Sequence, residues 1–139
     1  MDDDDRFPFT TEIPVRYRDL DTLEHVNNAV YSTYLEQARV EYLREVVEAD
    51  GAEMVLAHVE MDFRAPVHLG DTVGVDVRVS DLGTSSFTFA YRVRVGDEVA
   101  LTAESVQVSV DPDTGSSRPL PDDWRASIRA FEDETLSEI

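Results

Sequence analysis

Ten residues, Asp19-Leu-Asp21-Thr-Leu-Glu24-His25-Val-Asn27-Asn28, gather carboxylates, an imidazole and a pair of side-chain amides into one polar turn. The turn lies between a stretch with strand periodicity and the longest helical pattern in the chain. The first N–H groups of a helix have no intrahelical partner and carry the positive end of its dipole. A carboxylate that attacks or activates water, an imidazole and donors aimed at a developing oxyanion are the parts of a carbonyl-attacking site.

The elements that must position these groups follow from periodicity. Residues 7–18 read as a strand, alternating regularly from Ile13, with Pro14 indicating an edge position or a bulge. Asn27 or Asn28 is the predicted helix N-cap. Val30, Tyr31, Tyr34, Leu35, Ala38, Tyr42, Leu43, Val46 and Val47 then recur at three- and four-residue spacing, predicting one amphipathic helix stopped near Asp50-Gly51. Four strands are expected after it, over 55–64, 72–79, 87–95 and 99–110. In the last of these the apolar face switches near Ser105, which predicts a bulge there. A short terminal helix is expected over 121–134, behind an acidic leader at 1–8. Strand, long helix and four antiparallel strands make an α+β domain, one helix against one face of a five-stranded sheet.

The 139 residues, 42% hydrophobic, suit a single domain. No apolar run is long enough to span a bilayer and the N-terminus is acidic, so a cytoplasmic protein with no membrane partner is expected. Absence of cysteine excludes thiolate catalysis and disulfides. His25, His58 and His68 show no metal-binding spacing, so no metal is expected. There are 30 acidic and 12 basic residues, a net charge of -18, and every basic residue is arginine. Such a surface disfavours nucleic acid as a partner. Its composition resembles that of cytosolic proteins from salt-accumulating halophiles.

Tyr17-Arg-Asp19-Leu-Asp21-Thr-Leu-Glu-His25-Val-Asn27-Asn28-Ala-Val-Tyr31, continuing to Tyr34-Leu-Glu36-Gln-Ala-Arg39, resembles the hotdog-fold acyl-CoA thioesterases of the 4-hydroxybenzoyl-CoA thioesterase type, in the branch with a His-x-Asn-Asn signature. Phe63-Arg-Ala-Pro66-Val-His-Leu-Gly70-Asp71 resembles the same family's strand–turn–strand join. The resemblance implies a hotdog fold and a homodimer or homotetramer with an acyl-thioester bound between subunits. It implies no cofactor beyond the coenzyme A of the substrate. Asp21 matches the family's catalytic carboxylate, acting as nucleophile or general base, and His25 matches the histidine of that branch. Related acyl-carrier-protein enzymes have an asparagine two residues before that histidine; this chain has Leu23.

On this reading the amides of Val26, Asn27 and Asn28 polarise the thioester carbonyl. Tyr31 and Glu36 border the acyl group, unless Glu36 pairs with Arg39 or Arg16. Arg64, Arg92 and Arg94, with Thr84, Ser85 and Ser86, are candidates for the phosphates of coenzyme A. From spacing alone Asp21 could equally be a carboxylate capping its own turn. Asp19 and Glu24 are expected to be solvated, and His58 and His68 to be structural. The competing functions are a non-catalytic acyl-CoA-binding module, an acyl-carrier-protein thioesterase and, last, a hotdog dehydratase.

Self-repulsion at a charge of -18 destabilises the compact state unless it is screened, and the Debye length falls to about 3 Å at molar salt. Circular dichroism should therefore show secondary structure lost in dilute buffer and kept in molar KCl. Full stability in dilute buffer would overturn the halophilic reading.

Overall fold

Alternating β-branched and aromatic side chains build five strands: β1 (Phe9–Pro14), β2 (Met54–Phe63), β3 (Thr72–Leu82), β4 (Ser86–Val95) and β5 (Glu98–Ser109). They pair antiparallel in the order β1-β3-β4-β5-β2. The computed structural model describes residues 7–49, 54–132 and 136–138. Helix α1 (Val30–Tyr42) lies across one face of the sheet, α2 (Asp122–Glu132) packs near the end of α1, and a two-residue strand β6 (Ser137–Glu138) pairs with β3 in parallel. The expected five-stranded α+β architecture is present, with β6 in addition. Pro14 sits at the end of edge strand β1, where its missing N–H interrupts no central ladder.

The core forms where two periodicities meet. Tyr31, Tyr34, Leu35, Ala38 and Tyr42 of α1 are buried in one cluster with Val73, Val75, Val77 and Val79 of β3 and with Phe87, Phe89 and Val93 of β4. Tyr42 meets Phe89 edge-on with ring centroids 5.4 Å apart. Its hydroxyl donates to Glu132 of α2 at 2.5 Å, and the same carboxylate oxygen accepts the Val79 N–H at 2.9 Å. That amide lies beyond the reach of β1, whose pairing with β3 ends at Val77, so Glu132 caps the edge β1 leaves open.

Two sequence expectations are corrected. β5 has no bulge at Ser105, which pairs in continuous register with Phe89 and Val59. Instead of switching faces, β5 keeps Ser105, Gln107 and Ser109 inward and buried. The irregularities in its own pairings fall at Leu56/His58 of β2 and at Val93/Arg94, where β5 gains Ala100, and the β3–β4 pairing has another between Val79 and Asp81. Helix α1 runs into a wider turn over Leu43–Val47 and ends at Glu48, in the left-handed region at φ 59° with its N–H on the Leu43 carbonyl. The expected stop at Asp50-Gly51 lies outside the described residues, as do 1–6 of the acidic leader and 133–134 of the terminal helix.

The polar residues inside β5 are satisfied by a directed chain of hydrogen bonds. Arg39 Nη1 donates to Tyr91 Oη at 3.0 Å, Tyr91 Oη meets Ser105 Oγ at 2.6 Å, and Ser105 Oγ donates to Gln107 Oε1 at 2.9 Å. With Ser105 spending its proton on Gln107 and Arg39 only donating, Tyr91 must donate to Ser105. This chain ties α1 to the centre of the sheet.

A second buried polar group holds the chain ahead of α1. Asp19, expected to be solvated, is only 2% exposed. Its carboxylate accepts the Arg16 N–H at 2.9 Å, Arg16 Nη2 at 3.2 Å and the Tyr34 hydroxyl at 2.8 Å, while its carbonyl accepts the Asn27 N–H at 2.9 Å. Burial alone would raise the Asp19 pKa, but the bonds from Arg16 and Tyr34 outweigh it and hold the carboxyl below its ordinary value.

Tyr91→Phe should cost about 1–3 kcal/mol, because it removes the donor to the buried Ser105 Oγ and the acceptor of Arg39 Nη1. Urea unfolding in molar KCl measures it, and a loss below about 0.5 kcal/mol would mean the chain bears no stability. Asp19→Asn should cost a similar amount at neutral pH, about 1–3 kcal/mol. A depressed folded-state pKa gives stability that is complete above the unfolded value of about 3.9 and is lost as pH falls through the folded one. The acid limb of stability against pH should therefore flatten in Asp19→Asn, leaving the part due to Asp76, whose pKa is also lowered. Parallel pH curves for the two proteins would contradict this.

Candidate functional site

With Asp19 fixed, residues 20–26 close into a short loop. Leu20 and Val26 form a β-bridge, the Asp21 N–H donates to the His25 carbonyl at 2.8 Å, and the Glu24 N–H donates to the Asp21 carbonyl at 3.1 Å. Glu24 takes a left-handed conformation at φ 63° and is solvated as expected. The buried Val26 binds Val67 of the β2–β3 connection, N–H to carbonyl, at 2.8 Å. The loop is thus held on both flanks before any side chain is considered.

Asp21 Oδ1 accepts the N–H groups of Leu23 at 2.9 Å and His25 at 3.3 Å. Oδ2 accepts none among the described residues. One oxygen of this carboxylate therefore does cap the turn, while the other faces open space. His25 is half-buried and its ring makes no hydrogen bond among the described residues. Asn27 Oδ1 accepts the Ala29 N–H at 2.9 Å, and the Asn27 carbonyl accepts the Val30 N–H at 2.9 Å, forming the turn that leads into α1. Ala29, at the position preceding Val30, makes no capping bond through its side chain.

Backbone bonding narrows the expected oxyanion donors. The Val26 N–H is engaged with Val67 and the Asn27 N–H with the Asp19 carbonyl, because those bonds build the loop. Of the three amides, Asn28 N–H is the one with no acceptor among the described residues. Its side chain is exposed at the helix start.

Two open depressions share Asp21, Leu23 and His25. One, of about 380 Å³, is also lined by Asn28, Tyr31, Phe63, Arg64 and Pro66. The other, of about 900 Å³, is lined by Tyr17, Arg18, His68 and Leu69. The Asp21–His25 loop is the ridge between them. Tyr31 is buried, with its ring edge-on to Phe63 at 5.6 Å. Phe63 is 51% exposed, so the wall of the smaller depression is aromatic on one side. His68, expected to be structural, stands in the larger depression, edge-on to His25 at 5.1 Å. No motif spacing links residues 43 positions apart, so this neighbour was illegible in the sequence.

The remaining candidates are dispersed. Glu36 is exposed on α1, and Arg16 and Arg39 bond to Asp19 and Tyr91. Arg64 borders the smaller depression and, on the outer face of the sheet, a groove of about 410 Å³ lined also by Phe7, Arg78, Arg92 and Thr102. Arg92 and Arg94 each place Nε 2.8 Å from Asp76 Oδ2, and Arg78 and Arg92 lie over the Phe7 ring at 5.5 and 4.7 Å. Thr84 and Ser85, in the β3–β4 turn, and Ser86, which opens β4, lie at the opposite end of the sheet, about 30 Å from the Asp21 end at the usual strand rise. There they bind the segment leading into α2: the Thr84 carbonyl accepts the Leu120 N–H at 2.9 Å and Arg125 Nη2 at 3.2 Å. Among the described residues no group of histidines and carboxylates is arranged to hold a metal ion, and no helix is long and apolar enough to cross a membrane.

The fold and sequence both have recognisable relatives. A thioesterase from Thermus thermophilus, crystallised with coenzyme A and zinc, superposes with a TM-score of 0.86 and is 38% identical, covering 94% of this chain and 98% of that one. The two share the hotdog architecture. The acyl-CoA thioester hydrolase YbgC of Escherichia coli is 28% identical over 120 residues, 81% of this chain and 90% of that protein. The 1,4-dihydroxy-2-naphthoyl-CoA hydrolase of Synechococcus elongatus is 26% identical over 72 residues, 50% of this chain and 53% of that protein. The chain thus spans about half the length of this last curated relative. The model of the thioesterase-like superfamily matches residues 15–128, from just after β1 through the Asp21–His25 loop and strands β2 to β5 into α2, and the chain belongs to that superfamily.

Proposed function

We propose that the protein hydrolyses an acyl-CoA to a free acid and coenzyme A. The observation that carries this reading is the Asp21 carboxylate, with Oδ1 locked by two amides and Oδ2 open beside His25 and the Asn28 N–H. Oδ2 either attacks the thioester carbonyl or takes a proton from the water that does. As the carbonyl oxygen becomes negative, the Asn28 N–H at the start of α1 donates to it, assisted by the helix dipole. The carbon–sulfur bond then breaks: where Asp21 activated water, the acid is released and the thiolate takes the proton that Asp21 holds; where Oδ2 attacked, the thiolate takes a proton from water, and a second water hydrolyses the acyl-aspartyl anhydride to the free acid.

Arg64 links this site to the outer groove, whose lining includes Arg78 and Arg92 and no carboxylate, an arrangement suited to the phosphates of coenzyme A. Arg78 Nε is buried there without an acceptor among the described residues. Tyr31 and Phe63 offer an apolar wall to the acyl group. The site is completed by a second copy in a homodimer or homotetramer. Support for this comes from β2, an edge strand exposed on both faces with Val55, Leu56, Val59 and Phe63 uncovered. The acidic surface speaks against an acidic carrier protein as the acyl donor, except at screening salt.

Asp21→Asn should lower kcat for thiol release from acyl-CoA by roughly a hundredfold or more, assayed in molar KCl across acyl lengths. Unchanged turnover would remove Asp21 from the mechanism. Tight acyl-CoA binding with no turnover in the unsubstituted protein would favour the non-catalytic binding module.

A further inference from the structure

His25 sits beside the reactive carboxylate with its main chain fixed and its ring unfixed by any hydrogen bond among the described residues. One aromatic contact to that ring is present among the described residues. His68 meets it at 5.1 Å between centroids with the planes 83° apart.

His68 is itself held by a turn bonded to the rest of the site from two directions. The Val67 carbonyl takes the Val26 N–H at 2.8 Å, and the Asp71 carbonyl takes the Val15 N–H at 3.0 Å. Within the turn the His68 N–H donates to Asp71 Oδ2 at 2.9 Å and the Asp71 N–H returns to the His68 carbonyl at 3.1 Å. Gly70, at φ 95°, supplies the backbone conformation that closes it. His68 Nδ1 lies 3.8 Å from Asp71 Oδ2, which gives the imidazole a second neighbour besides His25. Its side chain is 54% exposed, so the ring adds little to the core. A half-exposed imidazole on a doubly fastened turn, packed edge-on to a ring that has no hydrogen bond and no second ring contact among the described residues, is placed to orient that ring.

We propose that His68 is a positioning residue for His25: its ring selects the His25 orientation that faces Asp21 and the thioester. The catalytic half of this inference rests on the hydrolase reading above, whereas the ring contact does not. Edge-to-face packing biases an orientation by about two- to twelvefold, which sets the size of the effect.

Two measurements on the full-length protein in molar KCl test it. In kinetics, His68→Ala should lower kcat by about five- to tenfold with KM within twofold, His68→Phe should retain most of the activity because it keeps a ring, and His68→Ala should add less than twofold in a His25→Ala background. An equal loss in that background, or a His68→Phe variant as slow as His68→Ala, would overturn the assignment. The second measurement needs no turnover. The chain has three histidines, so each imidazole signal can be assigned by NMR through single substitution. His68→Ala should shift the His25 ring signals and leave those of His58, on β2, in place. Unmoved His25 signals would refute the contact. A protein with no thioester turnover but a moved His25 signal would sink the hydrolase reading and retain the ring pair.

Discussion

The site depends first on a carboxylate that cannot do the chemistry. Asp19 is buried at the junction of the end of β1, the helix α1 and the loop that carries Asp21 and His25. An ionised carboxylate in such a place is costly unless its oxygens are saturated with donors. Three donors from Arg16 and Tyr34 saturate it. Because one donor comes from before the loop and another from inside α1, the bonding that keeps the charge also fixes where the loop starts and how it meets the helix. The Asn27 N–H on the Asp19 carbonyl then sets the far end. Asp21 and His25 need no burial of their own, and can stay at the surface with free atoms.

Charge elsewhere follows the same division. In a chain with 30 acidic and 12 basic residues, most carboxylates among the described residues face solvent, where salt screens their mutual repulsion. Asp76 instead is buried on the outer face of the sheet by Arg92, Arg94 and Thr10. Arginine suits this role, since its fork can satisfy several lone pairs at once while its flat face packs on the Phe7 ring. Screening acts on the exposed carboxylates and leaves these buried contacts nearly untouched.

Periodicity made most of the fold legible. The three- and four-residue spacing of Tyr31, Tyr34, Ala38 and Tyr42 gave α1, and alternation gave β4 to within a residue and the start of β3, which runs three residues past its expected end at Val79. It failed where a polar residue faces inward. Ser105 and Gln107 break the apolar alternation of β5, which reads as a change of face; their bond to each other and the Tyr91 hydroxyl, itself bonded to Arg39 and distant in sequence, make their burial tolerable. Asp19 was misjudged for the same reason, since nothing local reveals that Tyr34 donates to it. At the site, spacing pointed to Asp21, His25 and the asparagines, but could not show which amides were already used. The Val26 N–H is consumed by Val67, 41 residues away, and His68 arrives through the same connection.

The openness of the site in one chain bears on how it can work. Asp21 and His25 form a ridge with a depression on each side, and the surrounding apolar side chains are uncovered: Tyr17 is 80% exposed, Leu23 72% and Phe63 51%. A donor such as the Asn28 N–H stabilises a developing oxyanion strongly only where water is excluded, because the interaction weakens as the local dielectric rises. On the hydrolase reading, an uncovered chain would therefore hold the right groups in a medium that blunts them. The same edge of the molecule carries β2, with its unpaired backbone and exposed valines and leucine. Covering β2 with a second copy removes an exposed apolar edge and, if the cover extends past Phe63, dries the smaller depression as well. Assembly and catalysis then share one physical requirement, the exclusion of water from the strip between Phe63 and Asp21.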